Sequence, residues 1–265
     1  MHQRMANALS YGEFRIFYQP VVDLQSGIVV GLEALCRWPQ RDDTFAAPET
    51  FISQAETSGF IVQLGDWVLR TAVDQVRRWQ TRFNLELLLA VNLSGRQFLH
   101  YNLIKSIEDA LKSVSYAPKT LEFEITESVA MHNAEDSIGI MRQLKGLGIT
   151  LALDDFGTGY SSLAYLKRFP IDKLKIDKTF VRDIPDDAND LAIVSAIIAM
   201  AHALGLKVQA EGVETEAQME FLRDCGCEYA QGYLFGRALP ADEFEELLAD
   251  QHSNATPIIG ARTAS

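Results

Sequence analysis

Residues 134–155 read AEDSIGIMRQLKGLGITLALDD, and this stretch contains one complete unit of the predicted fold. Residues 134–147 have the pattern of a helix, and Gly148 stands where a left-handed helix cap is expected. Residues 150–154 then form a short apolar run that ends in Asp154 and Asp155. A helix, a glycine and a buried strand predict one unit of an α/β protein with a largely parallel sheet.

The same alternation continues along the whole chain. Strands are predicted at residues 14–22, 28–35, 86–92, 121–126, 150–154, 173–176, 206–210 and 229–234, and helices at 49–58, 61–82, 103–113, 134–147, 190–204, 215–224 and 241–249. Gly205 and Gly226, like Gly148, follow helices as caps. The segment from Asp23 to Gly27 is too short for a helical crossover, so the first two strands should pair as an antiparallel hairpin. The predicted fold class is therefore α/β, a modified TIM-type (β/α)8 barrel with an antiparallel first strand.

Composition excludes several classes of protein. The 265 residues are 48% hydrophobic and 23% charged, which is typical of a soluble globular protein with a sizeable core. A net charge of −12 argues against binding to a nucleic acid polymer, which needs clustered cations. Neither a signal peptide nor a long apolar run is visible. The three cysteines, Cys36, Cys225 and Cys227, have no disulfide spacing and fit a reducing cytoplasm, although Cys225 and Cys227 could form half of a metal site.

Nearly every predicted strand ends in a polar or ionisable residue. In a parallel barrel these ends share one face, where barrel enzymes keep their active sites. Carboxylates brought together there should not all ionise without cations between them, and an all-oxygen ligand set suits Mg²⁺ or Mn²⁺ in a two-metal arrangement. Any one acid alone could be solvated surface or a helix cap, and Lys175 could be a snorkelling side chain, but their recurrence favours a site. The strand-end residues are Glu33, Asn92, Glu124, Asp154, Asp155, Lys175, Glu211 and Gln231, with Glu127 and Glu214 shortly after two of them.

A glycine-rich loop, Phe156-Gly-Thr-Gly-Tyr-Ser-Ser162, follows the paired aspartates. It matches neither the P-loop nor the dinucleotide-binding pattern. One interpretation is a helix-entry turn in which Ser161 caps residues 163–166. The other is a mobile loop that covers the site with Gly157 and Gly159 as hinges, and its neighbours favour this second interpretation.

Taken together, these residues resemble the EAL domain, a family of bacterial phosphodiesterases specific for cyclic di-GMP. The naming motif is Glu33-Ala34-Leu35, and the resemblance covers residues 11–248. The other motifs are Tyr18-Gln-Pro-Val-Val-Asp23, Val91-Asn-Leu-Ser94, Glu124-Ile-Thr-Glu-Ser128, Asp154-Asp-Phe-Gly-Thr-Gly-Tyr-Ser-Ser162, Leu174-Lys-Ile-Asp177, Glu211-Gly-Val-Glu214 and Gln231-Gly-Tyr-Leu-Phe235. Eight motifs in this order are highly specific, whereas a lone Glu-Ala-Leu would carry no weight.

The resemblance implies a metal-dependent enzyme, a cyclic-guanylate-specific phosphodiesterase that opens cyclic di-GMP to linear pGpG with two Mg²⁺ or Mn²⁺ ions. It implies metal ligation by Glu33, Asn92, Glu124, Asp154, Asp155 and Glu211, with Glu211 alternatively a general base. Lys175 would position or polarise the attacking water, and Glu127 would hold the glycine-rich loop. The residues implied to contact substrate or complete the rim are Gln19, Leu35, Arg37, Asn92, Gln231, Glu214 and Arg237. Gly236-Arg237-Ala238 departs from the usual family pattern, and we expect at most an altered affinity from it.

Two other functions remain open at this stage. A cyclic di-GMP receptor without turnover would usually lack metal ligands or the glycine-rich loop. This sequence has both. An interaction module is suggested by the predicted helix 190–204, which has one stripe of Leu191, Val194, Ile198 and Ala201 and another of Ile193, Ile197, Met200 and Leu204. One stripe should pack on the barrel, and the other either meets a partner subunit or is also core. The family resemblance favours a homodimer.

The expected domain organisation is simple. Residues 1–10 form a lead-in, residues 11–250 the phosphodiesterase domain and residues 251–265 a disordered tail. Family partners suggest that a GGDEF or sensory domain belongs to the parent protein, which is expected to be cytoplasmic or anchored to a membrane through a domain outside this chain. This domain itself is expected to make no membrane contact.

Overall fold

The computed structural model describes residues 2–40, 44–157 and 163–254 and shows a closed barrel of eight strands. The strands are β1 (Arg15–Asp23), β2 (Val29–Arg37), β3 (Leu88–Asn92), β4 (Leu121–Thr126), β5 (Thr150–Phe156), β6 (Lys173–Ile176), β7 (Lys207–Ala210) and β8 (Tyr229–Ala230). β1 is antiparallel to both β2 and β8, whereas every pair from β2–β3 to β7–β8 is parallel. The predicted hairpin and modified barrel are therefore confirmed.

Helices surround this barrel. They are α1 (His2–Ser10), α2 (Pro48–Ser58), α3 (Ile61–Phe83), α4 (Gly95–Phe98), α5 (Leu103–Ser113), α6 (Glu127–His132), α7 (Ala134–Gly146), α8 (Leu163–Leu166), α9 (Lys178–Val181), α10 (Ala188–Ala203), α11 (Glu216–Asp224) and α12 (Ala241–Asn254), with a short 3₁₀ helix at Pro118–Thr120. Gly148, Gly205 and Gly226 have positive φ angles, which confirms their predicted role as helix caps. None of the helices in the described ranges combines the length and apolar composition needed to cross a bilayer.

Two hydrophobic clusters hold these elements together. The larger one fills the space between the barrel and its helices, and Trp79 of α3 packs there against Tyr18 of β1 and Phe244 of α12. The smaller one joins α1 and α2 to the start of α3, with Met5 and Trp38 almost completely buried. The predicted lead-in is thus an ordered helix that packs on the domain.

The last helix, α12, extends to Asn254, four residues beyond the domain boundary expected at residue 250. The remaining residues of the expected tail lie outside the described ranges. Residues 158–162 also lie outside them, and with them the Gly159 hinge and the alternative in which Ser161 caps α8.

An ion pair lies inside the barrel among apolar side chains. The Lys173 ammonium of β6 is 2.7 Å from Glu122 Oε1 of β4, and both residues are at most 5% exposed. The ammonium also donates to Gln209 Oε1 of β7 over 3.2 Å and lies 5.0 Å from the centre of the Tyr229 ring. Because a buried charge is stable only when paired, each member of this pair depends on the other.

We therefore predict that Lys173→Met lowers the free energy of unfolding by about 3 kcal/mol, because it leaves the Glu122 carboxylate buried without its cation. The double variant Glu122→Leu/Lys173→Met removes both charges and should regain most of that loss. Urea unfolding followed by circular dichroism measures both. Equal stability of the single variant and the wild type would show that the pair is not needed.

Candidate active site

The carboxyl ends of the parallel strands place the predicted polar residues around one mouth of the barrel. Glu33 lies on β2, Asn92 ends β3, Glu124 lies on β4, and Asp154 lies near the end of β5. Lys175 lies on β6, while Glu211 follows β7 and Gln231 follows β8 directly. The rim that the sequence predicts therefore exists, with a different strand supplying each of these residues.

Lys175 lies at the centre of this arrangement. Its Nζ atom is 2.6 Å from Glu211 Oε1, 2.8 Å from Glu124 Oε2 and 3.2 Å from Asp154 Oδ1. Lys175 and Glu124 are each 1% exposed, so water screens their interaction very little. One ammonium thus faces three carboxylates, which leaves an excess of negative charge inside the barrel.

This imbalance shifts the pKa values of the group. Burial raises the pKa of Glu124 well above its ordinary value, although the attraction of Lys175 opposes the shift. For Lys175, burial alone would lower the pKa, but the surrounding carboxylates, Glu124 first, raise it well above its ordinary value. Burial raises the pKa of Glu211 to about 7. The positive charge of Lys175 lowers this pKa, and the negative charge of Asp154 raises it. Lys175 is therefore a permanent cation, unsuited to accept a proton at neutral pH.

Glu33 is held by two amide side chains. Asn92 Nδ2 donates to its Oε1 atom over 2.5 Å, and Gln231 Nε2 donates to its Oε2 atom over 2.7 Å. Gln231 Nε2 also contacts Gln19 Oε1 at 3.0 Å, while Gln19 donates to the carbonyl oxygen of Gly236. Both Glu33 oxygens thus have donors, and the carboxylate is fixed beside the Lys175 cluster.

The two aspartates that end β5 interrupt its regular pairing with β6. The register shifts between Leu153 and Phe156, and Asp155 has a φ angle of 54°. Asp155 donates its backbone N–H to Asp154 Oδ1 over 2.9 Å. Burial raises the pKa of the Asp155 carboxyl, and the negative charges of Asp154 and Asp177 add to the shift. Because the strand is irregular here, Asp154 and Asp155 need not follow the strict alternation of side chains between the two faces.

Glu127 supports the start of the glycine-rich loop. Its side chain is 2% exposed, and its Oε2 atom accepts a hydrogen bond of 3.2 Å from the backbone N–H of Gly157. Gly157 has a φ angle of 97°, and a β-carbon there would lie 2.8 Å from the Phe180 ring, so a larger residue would be strained twice over. The contact agrees in geometry with the role expected for Glu127.

The other predicted substrate contacts lie further out on the rim. Leu35 and Arg37 are half-buried on β2, where Leu35 pairs with Phe17 and the Arg37 guanidinium lies 5.9 Å from the centre of the Phe17 ring. Arg237 is exposed and stacks on the exposed Tyr233 ring at 3.9 Å. The Glu214 side chain is exposed, and its backbone N–H bonds to Gln218. These four residues thus contact neighbours on the rim rather than the Lys175 cluster.

A model of the EAL domain matches residues 2–238, which is most of the chain. This protein belongs to the EAL domain family.

Relatives of this EAL domain include named enzymes of Pseudomonas aeruginosa. The bifunctional diguanylate cyclase/cyclic di-GMP phosphodiesterase MucR is 46% identical over 92% of this chain and 35% of its own length. The cyclic di-GMP phosphodiesterase NbdA is 43% identical over 97% of this chain and 33% of its own length. Among solved structures, the PaMucR phosphodiesterase in complex with c-di-GMP superposes with a TM-score of 0.88 at 45% identity, covering 91% of this chain and 98% of that one. The chain thus spans about a third of the curated relatives.

The donor chemistry of this EAL domain fits a hard divalent cation. Neither Glu124 oxygen receives a hydrogen bond although both are buried, so its contact with Lys175 is one of charge rather than of directed bonding. Unpaired carboxylate oxygens beside an excess of acids are the ligands that Mg²⁺ and Mn²⁺ prefer. Within residues 2–40, 44–157 and 163–254, no three His, Cys, Asp or Glu side chains are close enough to form a ready-made metal site. The residues of this cluster that could hold such a cation are Glu124, Asp154 and Glu211.

The cysteines of the EAL domain lie apart from this cluster. Cys227 is fully buried, and its Sγ atom points to the backbone carbonyl oxygens of Val208 and Tyr229. Cys225 Sγ lies 3.6 Å from Ser195 Oγ. Neither arrangement is that of a thiolate metal ligand, which agrees with reduced thiols.

Three polar residues buried inside the barrel, Glu122, Lys173 and Gln209, lie outside the set of site residues that the sequence predicts. Each precedes a predicted site residue by two positions, Glu124, Lys175 and Glu211 respectively, and so shares its strand face. This two-residue spacing was the available signal. The signal is weak because most residues in the strand interiors are apolar.

We predict that Glu127→Leu releases the Gly157 amide while keeping the bulk of the side chain. Losing a hydrogen bond to a charged acceptor costs about 1.5–3 kcal/mol, so this amide should exchange its hydrogen roughly 10- to 100-fold faster. Hydrogen–deuterium exchange of the peptide that contains Gly157 measures the change. Glu127→Gln, which keeps an acceptor oxygen, is the matched control, and equal protection in Glu127→Leu and the wild type would contradict the contact.

We also predict a pH-dependent stability when divalent cations are chelated. The folded protein binds the Glu211 proton more tightly than the unfolded chain, so this stabilisation is complete below the ordinary pKa of glutamate and is lost as the pH rises through about 7. The free energy of unfolding in EDTA should fall by on the order of 1–3 kcal/mol between pH 5 and pH 8, and Glu211→Gln should flatten that slope. An identical slope in the variant would show that Glu211 does not titrate in this range.

Proposed function

We propose that this chain hydrolyses one phosphodiester of cyclic di-GMP to give linear pGpG, in a reaction that requires Mg²⁺ or Mn²⁺. The observation that supports this most directly is the Lys175 ammonium surrounded by Glu211, Glu124 and Asp154 at the mouth of the barrel. The relatives MucR and NbdA, which are 46% and 43% identical to the chain over the aligned residues, are named as phosphodiesterases of this dinucleotide. Every metal-ligand position implied by the family resemblance is present in this chain, which favours turnover over a silent receptor.

The proposed roles follow from position and charge. Glu33, Asn92, Glu124, Asp154, Asp155 and Glu211 would hold two divalent ions. When bound, such ions supply positive charge to the phosphate oxygens and to the attacking water. Lys175, a permanent ammonium, holds Glu124 and Glu211 in place and would donate a hydrogen bond to the water. Glu211 would serve either as a ligand or as the acceptor of the proton of that water.

Substrate binding is assigned to residues around this centre. Arg37 has a planar guanidinium suited to two phosphate oxygens, and it lies on the same strand as Leu35 and Glu33. Gln19 and Gln231, bonded to one another, would meet the dinucleotide near Glu33. Asn92, Glu214 and Arg237 complete the proposed rim, with Arg237 stacked on Tyr233.

The decisive experiment measures pGpG by chromatography after incubation of cyclic di-GMP with Mg²⁺. The wild type should form product, and EDTA should abolish it. Glu33→Ala should lower the rate by about 100-fold or more, because loss of a metal ligand removes charge stabilisation from the transition state. The matched control is Glu86→Ala, which removes an exposed acid paired with Lys119 outside the site. Tight binding of cyclic di-GMP by the wild type without product would establish a receptor instead.

We further propose that the chain forms a homodimer through α10. Ile193 on this helix is 38% exposed, although Ile197 of the same predicted stripe is buried and Met200 packs partly on the core. Ile193→Glu/Met200→Glu should convert a dimer to a monomer in light scattering and reduce activity. An unchanged mass and rate would exclude this surface.

The parent protein is proposed to act in the cytoplasm, supported by the free thiols, with a GGDEF or sensory domain alongside.

A further inference from the structure

A continuous line of buried polar groups crosses the interior of the barrel beneath the site. Lys173 Nζ donates to Gln209 Oε1 over 3.2 Å, Gln209 Nε2 donates to Gln231 Oε1 over 3.1 Å, and Gln231 Nε2 donates to Glu33 Oε2 over 2.7 Å. Glu122 lies at the far end, 2.7 Å from Lys173. All five residues are at most 7% exposed. We call this set, Glu122, Lys173, Gln209, Gln231 and Glu33, the polar column.

The two ends of the column fix which group donates and which accepts in every hydrogen bond between them. Each donor lies on the Lys173 side and each acceptor on the Glu33 side. Lysine can only donate hydrogen bonds, so the Gln209 amide must turn its oxygen toward Lys173 and its NH₂ group toward Gln231. Gln231 must then accept with its oxygen, which leaves its own NH₂ group facing Glu33. An ionised carboxylate can only accept, so this orientation is the one that Glu33 needs. The charge of Lys173 therefore sets the orientation of two amides in series.

Without this anchor the orientation of the Gln231 amide would rest on Glu33 and Gln19 alone. A reversed Gln231 would present its carbonyl oxygen to the Glu33 carboxylate, and two acceptors in contact repel each other. Glu33 would then keep Asn92 as a donor on one oxygen and lose the donor on the other. Gln209 and Lys173 have no role in the proposed chemistry, but their hydrogen bonds favour the orientation of Gln231 in which it donates to Glu33.

We propose that Gln209 and Lys173 are positioning residues for Glu33, which they orient through Gln231. The proposal rests on the proposed function, in which Glu33 is a metal ligand. Residues that orient a metal ligand commonly affect metal affinity or activity by about 10- to 100-fold when they are replaced. The same size of effect is expected here, although Gln209 lies two residues before Glu211 and outside the set that would contact metal or substrate.

The test replaces Gln209 with methionine, which keeps its length and removes its donor and acceptor. Titration calorimetry with Mn²⁺, without substrate, should show an affinity lower by about 10- to 100-fold in Gln209→Met. Gln251→Met is the matched control, because Gln251 is a buried glutamine bonded to the Val29 backbone rather than to the column. Both variants should lose stability, and the control should bind Mn²⁺ as the wild type does.

A second experiment detects the environment of the Gln231 amide without metal or substrate. The side-chain NH₂ signals of Gln231, assigned in ¹⁵N spectra with Gln231→Leu, should move in Gln209→Met and stay in place in Gln251→Met. Glu122→Leu/Lys173→Met, which keeps Gln209 but removes its anchor, should move the same signals while remaining folded.

Unmoved Gln231 signals in Gln209→Met, or wild-type Mn²⁺ affinity in that variant, would overturn the proposal. A wild type that binds Mn²⁺ but forms no pGpG would overturn the proposed function alone, because both arms would still report on the column. Should the wild type bind no Mn²⁺, the position of the Gln231 signals would decide.

Discussion

The Lys175 ammonium inside a ring of carboxylates is the interaction on which the rest of the site depends. Glu211, Glu124 and Asp154 all lie within 3.2 Å of its Nζ atom, and Glu124 has almost no access to water. Without the lysine, these acids would repel one another in a medium of low dielectric constant. With it, an excess of negative charge still remains, and this excess supports the proposal that the mouth of the barrel binds cations.

The barrel itself is what makes such a cluster possible. Lys173 and Lys175 lie two residues apart on β6, and their partners Glu122 and Glu124 have the same spacing on β4. Two lysine–glutamate pairs are thus built by the same two strands at successive inward positions. The lower pair is neutral overall and anchors the polar column, whereas Glu211 and Asp154 join the upper pair and add the excess of negative charge. β7 repeats the two-residue spacing, with Gln209 inside the barrel at the level of Lys173 and Glu211 at its mouth beside Lys175.

Much of this could be predicted from the sequence because the signals are local. The strands Leu121–Thr126 and Lys173–Ile176 have the predicted bounds, since their apolar residues alternate with charged ones in the period of a strand. The rim residues were found because a parallel barrel places every strand end on one face. The short helices α4, α6 and α9 were missed, because four to six residues are too few to show a helical period.

The polar column could not be predicted in the same way. Which residues of β6, β7 and β8 meet inside the barrel depends on their register and stagger, and neither can be read from any one strand. The irregular end of β5 is similar, because the positive φ angle of Asp155 has no mark in the sequence Asp154-Asp155. Local pattern therefore predicted the members of the site, and tertiary geometry decides their partners.

The central claim is that the excess of carboxylates around Lys175 binds divalent cations. Anomalous diffraction from crystals soaked in Mn²⁺ tests it most directly, since the metal can be located without any assumption about activity. The account predicts an anomalous peak bonded to oxygens of Glu33, Glu124 and Asp154. A map without any peak at this mouth of the barrel, at Mn²⁺ concentrations that support turnover, would contradict it and show that Lys175 alone balances the acids.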